Sequence, residues 1–141
     1  GCSIHLPTDA IVAANLEPGI AGYEVTVDEV PTDSMILDIG PQTITMLNSV
    51  MEKCRTIVWN GPLGVFEVPP FDRGTVDVAR RAGELTQTGG LISVAGGGDT
   101  VAALQHAGVM DQFTYVSTAG GAFLEWLEGR SLPGLRALEE N

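Results

Sequence analysis

Four short apolar runs, each followed by a stretch of helical periodicity, organise most of the chain. The runs, which have the length and composition of buried strands, are residues 35–39, 56–59, 91–95 and 113–116. The helical stretches, in which apolar side chains recur every three or four positions, are residues 44–53, 72–86, 99–107 and 122–128. This alternation predicts an α/β fold with a Rossmann-like parallel sheet and helices on both faces.

The pattern differs at the two ends of the chain. Residues 3–6 and 9–14 predict two short strands on either side of a proline. Residues 23–30 alternate polar and apolar side chains, which predicts a half-exposed segment at a sheet edge or in a surface ribbon. Near the C-terminus, residues 135–138 predict a last helical turn.

Glycine-containing loops follow the four main runs, and we expect them to meet at one edge of the sheet. Right-handed βαβ connections place every strand-to-helix loop at the carboxyl ends of the strands, where open parallel sheets bind ligands. In the loop 96–100, glycines let backbone amides approach an anion, and the following helix points free N–H groups at it. Alternatively, this loop is a tight turn whose helix is capped by Asp99 or Thr100. Four such loops on one edge favour a nucleotide site.

Composition limits the classes of partner. The 141 residues are 44% hydrophobic and 18% charged, which indicates a globular domain. Eighteen acidic and seven basic residues give a formal charge of −11, which argues against nucleic acid or an anionic membrane surface as partner. No apolar run approaches the roughly 20 residues of a membrane span, and no signal peptide is apparent. With only Cys2 and Cys54, the expected location is the cytoplasm, and the missing initiator Met suggests a part of a larger protein.

The predicted rim has a carboxylate but no cationic side chain. None of the Lys and Arg residues lies within the four loops, so a phosphate would depend on backbone amides, helix dipoles and the hydroxyls of Thr100, Ser117 and Thr118. Asp99 would repel that phosphate unless a cation lies between them, and Mg²⁺ resolves the conflict. Phosphoryl transfer needs further positive charge on the transferring group. The missing cations must therefore come from outside this chain.

Other rim residues suit the nucleoside part of a nucleotide. Glu67 can accept hydrogen bonds from a ribose diol, although a solvated loop acid is the alternative. Four apolar residues can enclose a base or can belong to the core; they are Leu37, Pro62, Leu63 and Val65. The Trp59 side chain is expected to be buried in the core and not to stack on a ligand. His5 and His106 have no partner at a catalytic spacing, so neither is predicted to be catalytic.

Five motifs, in order, resemble the phosphoglycerate kinase family. They are residues 37–41, 56–67, 96–100 and 117–122, and a last motif made of residues 127–129 and 132–134. The resemblance covers essentially residues 1–141 and implies the C-terminal part of the nucleotide-binding domain of a two-domain kinase. The N-terminal substrate domain and the first part of the nucleotide domain would then be absent. It also implies reversible phosphoryl transfer between 1,3-bisphosphoglycerate and ADP, giving ATP and 3-phosphoglycerate in glycolysis, with Mg²⁺.

The resemblance assigns roles by matching positions. The positions matched to the nucleotide are Leu37, Asn60, Gly61, Pro62, Val65, Glu67, Gly97, Gly98, Asp99 and Thr100. Among them, Glu67 resembles the ribose ligand, Asn60 lies near the phosphates, and Asp99 is the Mg²⁺ contact; the adenine contacts are Leu37, Pro62 and Val65. The loop that holds the transferring phosphate is matched by Ser117, Thr118, Gly120 and Gly121.

Two residues depart from the family pattern. Ala119 stands where the family commonly has a glycine, and we expect binding to survive this change. Ile36 stands where the family often has Gly, beside the adenine pocket, so it can reshape base packing. The family's phosphoglycerate-binding Arg residues and a Lys near the phosphates belong to sequence outside this chain, which agrees with the charge argument. The resemblance further implies a monomer, and a C-terminal segment 135–138 whose apolar face is exposed here.

Two other classes of function stay open. One is a stand-alone nucleotide-binding or regulatory module that performs no chemistry. The other is a structural α/β interaction domain in which the loops are only turns. The latter predicts that Gly97→Val damages folding without changing any ligand affinity.

Overall fold

The computed structural model describes residues 1–17 and 19–139 and contains two three-stranded sheets. The antiparallel sheet has the order β2-β1-β3, and its strands are β1 (Asp9–Ala13), β2 (Tyr23–Thr26) and β3 (Met35–Ile39). The parallel sheet has the order β4-β5-β6, and its strands are β4 (Thr56–Asn60), β5 (Ile92–Gly96) and β6 (Tyr115–Ser117). The α/β class and the parallel sheet with flanking helices are thus confirmed.

The described residues also form five α-helices. They are α1 (Pro41–Met51), α2 (Arg73–Gln87), α3 (Gly98–Ala107), α4 (Gly120–Leu127) and α5 (Pro133–Glu139). Helix α1 begins three residues before its predicted start because Pro41, with its fixed φ, suits the first helical position. Within the described part of the chain, no helix combines the length and apolar character that a bilayer crossing requires. The predicted exposure of segment 135–138 rests on Leu135 and Leu138, whose side chains lie outside the described part.

Three strand predictions need correction. Residues 3–6 form no strand, and Ile4 is 82% exposed because no neighbouring strand pairs with this segment among the described residues. Strand β2 lies at a sheet edge as predicted, but it ends at Thr26, where a 3₁₀ turn, Val27–Glu29, begins. Strand β3 pairs antiparallel with β1 and does not join the parallel sheet. Apolar periodicity identified β3 as a strand, but it carries no information about the partner strand.

One face of the parallel sheet packs against α1, α2 and α3. The side chains on this face include Trp59, which is buried as predicted. Its ring contacts the Phe113 ring edge to face, with 6.2 Å between the ring centroids. The main core consists of Ile44, Met51, Trp59, Val78, Ala79, Ala82, Ala95, Leu104, Ala107, Val109 and Phe113. This cluster joins three helices to two of the strands that end at the rim, so it fixes the positions of their loops.

The opposite face of the parallel sheet exposes apolar side chains. The register aligns Val58 with Val94 and Val94 with Tyr115, and Ile92 lies two residues before Val94 on the same face. Val58 is 46% exposed, Ile92 53% and Tyr115 60%. Large exposed apolar patches of this kind mark surfaces that contact another protein segment.

Candidate functional site

Three loops meet at the carboxyl edge of the parallel sheet. The register places Asn60, Gly96 and Ser117 side by side at the ends of β4, β5 and β6. The Gly97 N–H donates to the Ser117 carbonyl oxygen at 3.0 Å, which ties the second loop to the third. The predicted convergence is therefore confirmed for the loops that follow these three strands.

The fourth loop reaches this region by another route. Because β3 lies in the antiparallel sheet, the residues after it do not share the parallel edge, and the prediction of one common rim was wrong for them. The Val65 N–H nevertheless donates to the Leu37 carbonyl oxygen at 2.9 Å, and Asp38 forms an isolated bridge with Gly64. Strand β3 thus lies against the loop 61–67 (the Gly61–Glu67 loop).

The glycine loop before α3 has the geometry of an anion cradle. Gly97 is the N-cap of α3 and has a φ of +104°, a conformation that favours glycine. Among the described residues, no side chain forms a cap hydrogen bond at the start of this helix. The interpretation of Asp99 or Thr100 as the cap was therefore wrong. The first N–H groups of α3 are left to bind an acceptor outside the helix.

Asp99 and Thr100 have different environments in the first turn of α3. The Asp99 side chain is exposed and makes no hydrogen bond or ion pair within the described residues. Thr100 is only 1% exposed, and its hydroxyl accepts the Gly61 N–H at 2.8 Å. Asp99 is thus available to a ligand, whereas the Thr100 hydroxyl already links α3 to the Gly61–Glu67 loop.

The donor set around Asp99 fits only one kind of metal binding. Among residues 1–17 and 19–139, no group of three or more His, Cys, Asp or Glu side chains could hold an ion. An all-protein metal cage is therefore not formed by the described residues. A single carboxylate beside free amide groups does fit Mg²⁺, which keeps several waters and takes most other ligands from phosphate oxygens.

The third loop packs closely on the glycine loop. Gly120, the first residue of α4, is buried, and a Cβ there would lie 2.5 Å from the Cα and the amide nitrogen of Gly97. The Ala119 N–H donates to the Ser117 hydroxyl oxygen at 3.1 Å, which holds the turn. Thr118 and Gly121 are exposed. The predicted loop 117–121 thus lies directly beside Gly97, and Gly120 permits this approach.

The residues predicted to contact the nucleoside lie at several depths. Glu67 is exposed, Pro62 and Val65 are partly buried, and Leu37 is 2% exposed in a small core with Phe71. A cavity of about 590 Å³ lies between β3 and the Gly61–Glu67 loop. Leu37 and Val65 line it, and Pro62 and Glu67 do not. Its volume and apolar walls are typical of small-molecule pockets.

Ile36 also lines this cavity. Its side chain is 60% exposed, so it forms part of the cavity wall and not of the core. The effect of Ile36 on base packing stays a prediction.

Asp38 is a buried carboxylate that the sequence did not single out as a site residue. It is 3% exposed and accepts the Gly74 N–H at 2.7 Å and the Ile39 N–H at 2.8 Å. Burial raises the pKa of Asp38 to about 6 despite these two hydrogen bonds, and the nearby charges of Asp72 and Asp77 raise it further. This carboxyl joins the end of β3 to the first turn of α2 and contacts Gly64.

We expect Asp38→Asn to gain stability relative to the wild type as pH rises from about 4 to 7. Because the folded-state pKa of Asp38 is about 6 and its ordinary value is 3.8, only the folded state keeps the proton in this window. The carboxyl therefore lowers the wild-type free energy of unfolding as pH increases. Urea unfolding at about pH 4.5 and about pH 7.5 should show a relative gain of about 2 kcal/mol. The control variant Asp28→Asn, at an exposed position, should show no such relative gain. If the free energy of unfolding of Asp38→Asn differs from that of the wild type by the same amount at both pH values, the raised pKa of Asp38 is contradicted.

The described ion pairs lie outside the three rim loops. Arg73 pairs with Asp77, Arg81 with Glu52 and Glu84, and Arg130 with Glu128. The His106 Nε2 atom is 2.8 Å from an Asp72 carboxylate oxygen, and the His106 ring contacts Phe66 edge to face. No Lys or Arg belongs to residues 60–67, 96–100 or 117–121. The site therefore offers backbone amides, hydroxyls and carboxylates, and a phosphate bound there would lack a cationic side chain from these loops.

Comparison with known proteins identifies the family. A family model described as phosphoglycerate kinase matches residues 1–130. The chain belongs to the phosphoglycerate kinase family. The structure brings two of the motifs matched above together, at Gly97 and Ser117.

Curated relatives and solved structures agree with this placement. The phosphoglycerate kinase of Sphingopyxis alaskensis is 61% identical over 139 residues, and that of Dinoroseobacter shibae is 60% identical over 139 residues. Each match covers 99% of this chain but 35% of the relative, so the chain spans about a third of the length of these relatives. The solved phosphoglycerate kinase of Coxiella burnetii has a TM-score of 0.87 at 43% identity, covering 98% of this chain and 34% of that chain.

Proposed function

We propose that this chain is the C-terminal third of a phosphoglycerate kinase and supplies much of its Mg-nucleotide site. The longer protein, called the full-length kinase below, transfers a phosphoryl group reversibly between 1,3-bisphosphoglycerate and ADP. The observation that carries the proposal is the junction of three loops, in which Gly97 contacts Ser117 and Gly120 beside the free carboxylate of Asp99. A nucleotide phosphate fits this junction because the first amides of α3 have no side-chain cap there.

In this proposal each loop binds one part of the substrate. Leu37 and Val65, which line the apolar cavity, hold the base together with Pro62 of the same loop as Val65, and Glu67 accepts hydrogen bonds from the ribose. The phosphates lie against Asn60, Gly61 and the backbone of Gly97, and against the free amides of Gly98 and Thr100. The transferring group is held at the start of α4, by Ser117, Thr118, Gly120 and Gly121.

The chemistry demands little covalent participation from these residues. When bound, Mg²⁺ supplies positive charge to the phosphate oxygens, and Asp99 is the residue that would hold it. The amides in the first turns of α3 and α4 orient the phosphates. They also contribute partial positive charge where negative charge develops during transfer. The packing of Gly120 on Gly97 fixes the spacing between these two sets of amides.

The remaining cations and the phosphoglycerate site belong, in this proposal, to the other two thirds of the full-length kinase. The absence of Lys and Arg from the rim loops supports this assignment. The exposed apolar row of Val58, Ile92 and Tyr115 supports it too, since a further segment of the same domain can cover it. We further propose that the kinase is a cytoplasmic monomer that needs neither nucleic acid nor a membrane.

We expect the full-length kinase to consume ATP in the presence of 3-phosphoglycerate and Mg²⁺, and the 141-residue chain alone to show no turnover. The reason is that the chain lacks cationic side chains on the transferring phosphate. A coupled assay that follows ADP release checks both proteins. Mg-ADP binding without any transfer by the full-length kinase would instead support a regulatory nucleotide-binding module.

A further inference from the structure

The Gly61–Glu67 loop is attached to its surroundings through three alternate amide groups. The Gly61 N–H donates to the Thr100 hydroxyl at 2.8 Å, and the Leu63 N–H donates to the Thr75 hydroxyl at 2.9 Å. The Val65 N–H donates to the Leu37 carbonyl oxygen at 2.9 Å. These acceptors come from α3, α2 and β3 respectively. Three separate elements therefore determine the course of one loop.

The acceptors on α2 and α3 occupy equivalent helical positions. Thr75 is the third residue of α2, and Thr100 is the third residue of α3. Thr75 is 0% exposed and Thr100 is 1% exposed, so neither hydroxyl is available to solvent. Thr43, the third residue of α1, is equally buried, and its hydroxyl accepts the N–H groups of Thr8 and Asp9 instead. A buried threonine hydroxyl at the third helical position thus anchors the Gly61–Glu67 loop twice and the start of β1 once.

The anchored loop is the part of the chain to which the proposed function assigns the base and the ribose. Leu63 lies in the chain between Pro62 and Val65, two of the three proposed base contacts. Its partner on α2 fixes the depth of the loop relative to the cavity lined by Leu63, Val65 and Leu37. A donor in this partly buried position that loses its acceptor is unfavourable, so the loop would move to find another partner.

We propose that Thr75 is a positioning residue for nucleotide binding, which acts by holding the Leu63 amide and with it the base- and ribose-binding loop. The inference rests on the proposed function but assigns a role to a side chain that the nucleotide does not touch. Thr100 cannot be tested as cleanly, because it also belongs to the proposed phosphate loop.

The test is Thr75→Val in the full-length kinase, since valine keeps the shape and removes the acceptor. The KM for Mg-ATP should rise about tenfold, because the Leu63 amide loses its acceptor. The kcat should stay within about twofold, because the contacts to the transferring phosphate remain. The KM for 3-phosphoglycerate should not change. Thr75→Ser, which restores the hydroxyl, should recover the wild-type KM for Mg-ATP.

Thr86→Val is the control on the same helix, because it removes a half-buried hydroxyl that bonds the Ala82 carbonyl oxygen and the Ser93 hydroxyl and not the loop. Amide exchange gives a second readout: Thr75→Val should speed exchange at Leu63 about tenfold, and Thr86→Val should leave it unchanged. An unchanged KM for Mg-ATP in a folded Thr75→Val protein would overturn the role of Thr75 but leave the proposed function intact. A wild-type kinase that binds no Mg-nucleotide would overturn the proposed function and the inference with it.

Discussion

Replacing Asp99 by alanine is expected to lower the kcat/KM of the full-length kinase about 10²–10³-fold. The Asp99 carboxylate is exposed in the first turn of α3, makes no bond within the described residues and does not cap the helix. Its removal should leave the fold intact while taking away the protein ligand for Mg²⁺. The expected size of the effect is that of losing one preorganised electrostatic group at a site of charge development. A coupled assay over a range of Mg²⁺ concentrations measures it.

The matched control for Asp99→Ala is Asp111→Ala. Asp111 is also an exposed acid near the start of a short helical turn, Met110–Gln112, but it lies outside the three rim loops. This control should keep wild-type kinetics, and both variants should unfold at nearly the wild-type urea concentration. Activity of Asp99→Ala within about threefold of the wild type would contradict the role of this carboxylate.

Gly120→Ala is expected to destabilise the chain by about 1–3 kcal/mol, the usual effect of forcing a methyl group into packed surroundings. The added Cβ would lie 2.5 Å from backbone atoms of Gly97, so the third loop must move away from the glycine loop. The same displacement separates the two sets of phosphate-binding amides, and we expect kcat to fall more than tenfold. Urea unfolding and the coupled assay measure the two effects.

Gly121→Ala provides the comparison within the same helix. A Cβ at Gly121 has no heavy atom within 4 Å, so this variant should unfold within about 0.5 kcal/mol of the wild type. Both changes place alanine in the first turn of α4, so helix propensity alone predicts the same sign for both. Equal stability of the two variants would show that the contact between Gly120 and Gly97 is absent in solution.

The parallel half of the fold was predictable from local pattern. Strands β4, β5 and β6 each end in a glycine-containing loop before a helix, so right-handed connections determine where those loops lie. Strand β3 has the same local pattern, but its antiparallel pairing with β1 depends on contacts with a segment more than 20 residues away. Residues 3–6 have a strand-like composition yet no partner strand in the described chain, and composition cannot supply one.

The geometry of the candidate site was predictable where backbone groups form it. Gly97 and Asp99 belong to a loop whose glycines and helix start indicate anion binding before any contact is known. Thr75 and Asp38 were missed because their partners, Leu63 and Gly74, are distant in the chain and the hydrogen bonds arise only on folding. A threonine at the third position of α1, α2 and α3 is the one signal that could have revealed Thr75.

A crystal structure of the full-length kinase with Mg-ADP would show whether the loops around Gly97 bind a Mg-nucleotide. We expect phosphate oxygens within hydrogen-bond distance of the Gly98 and Thr100 amides, Mg²⁺ on the Asp99 carboxylate, and the base against Leu37 and Val65. A nucleotide that is bound elsewhere and makes no contact with residues 97–100 would refute this site.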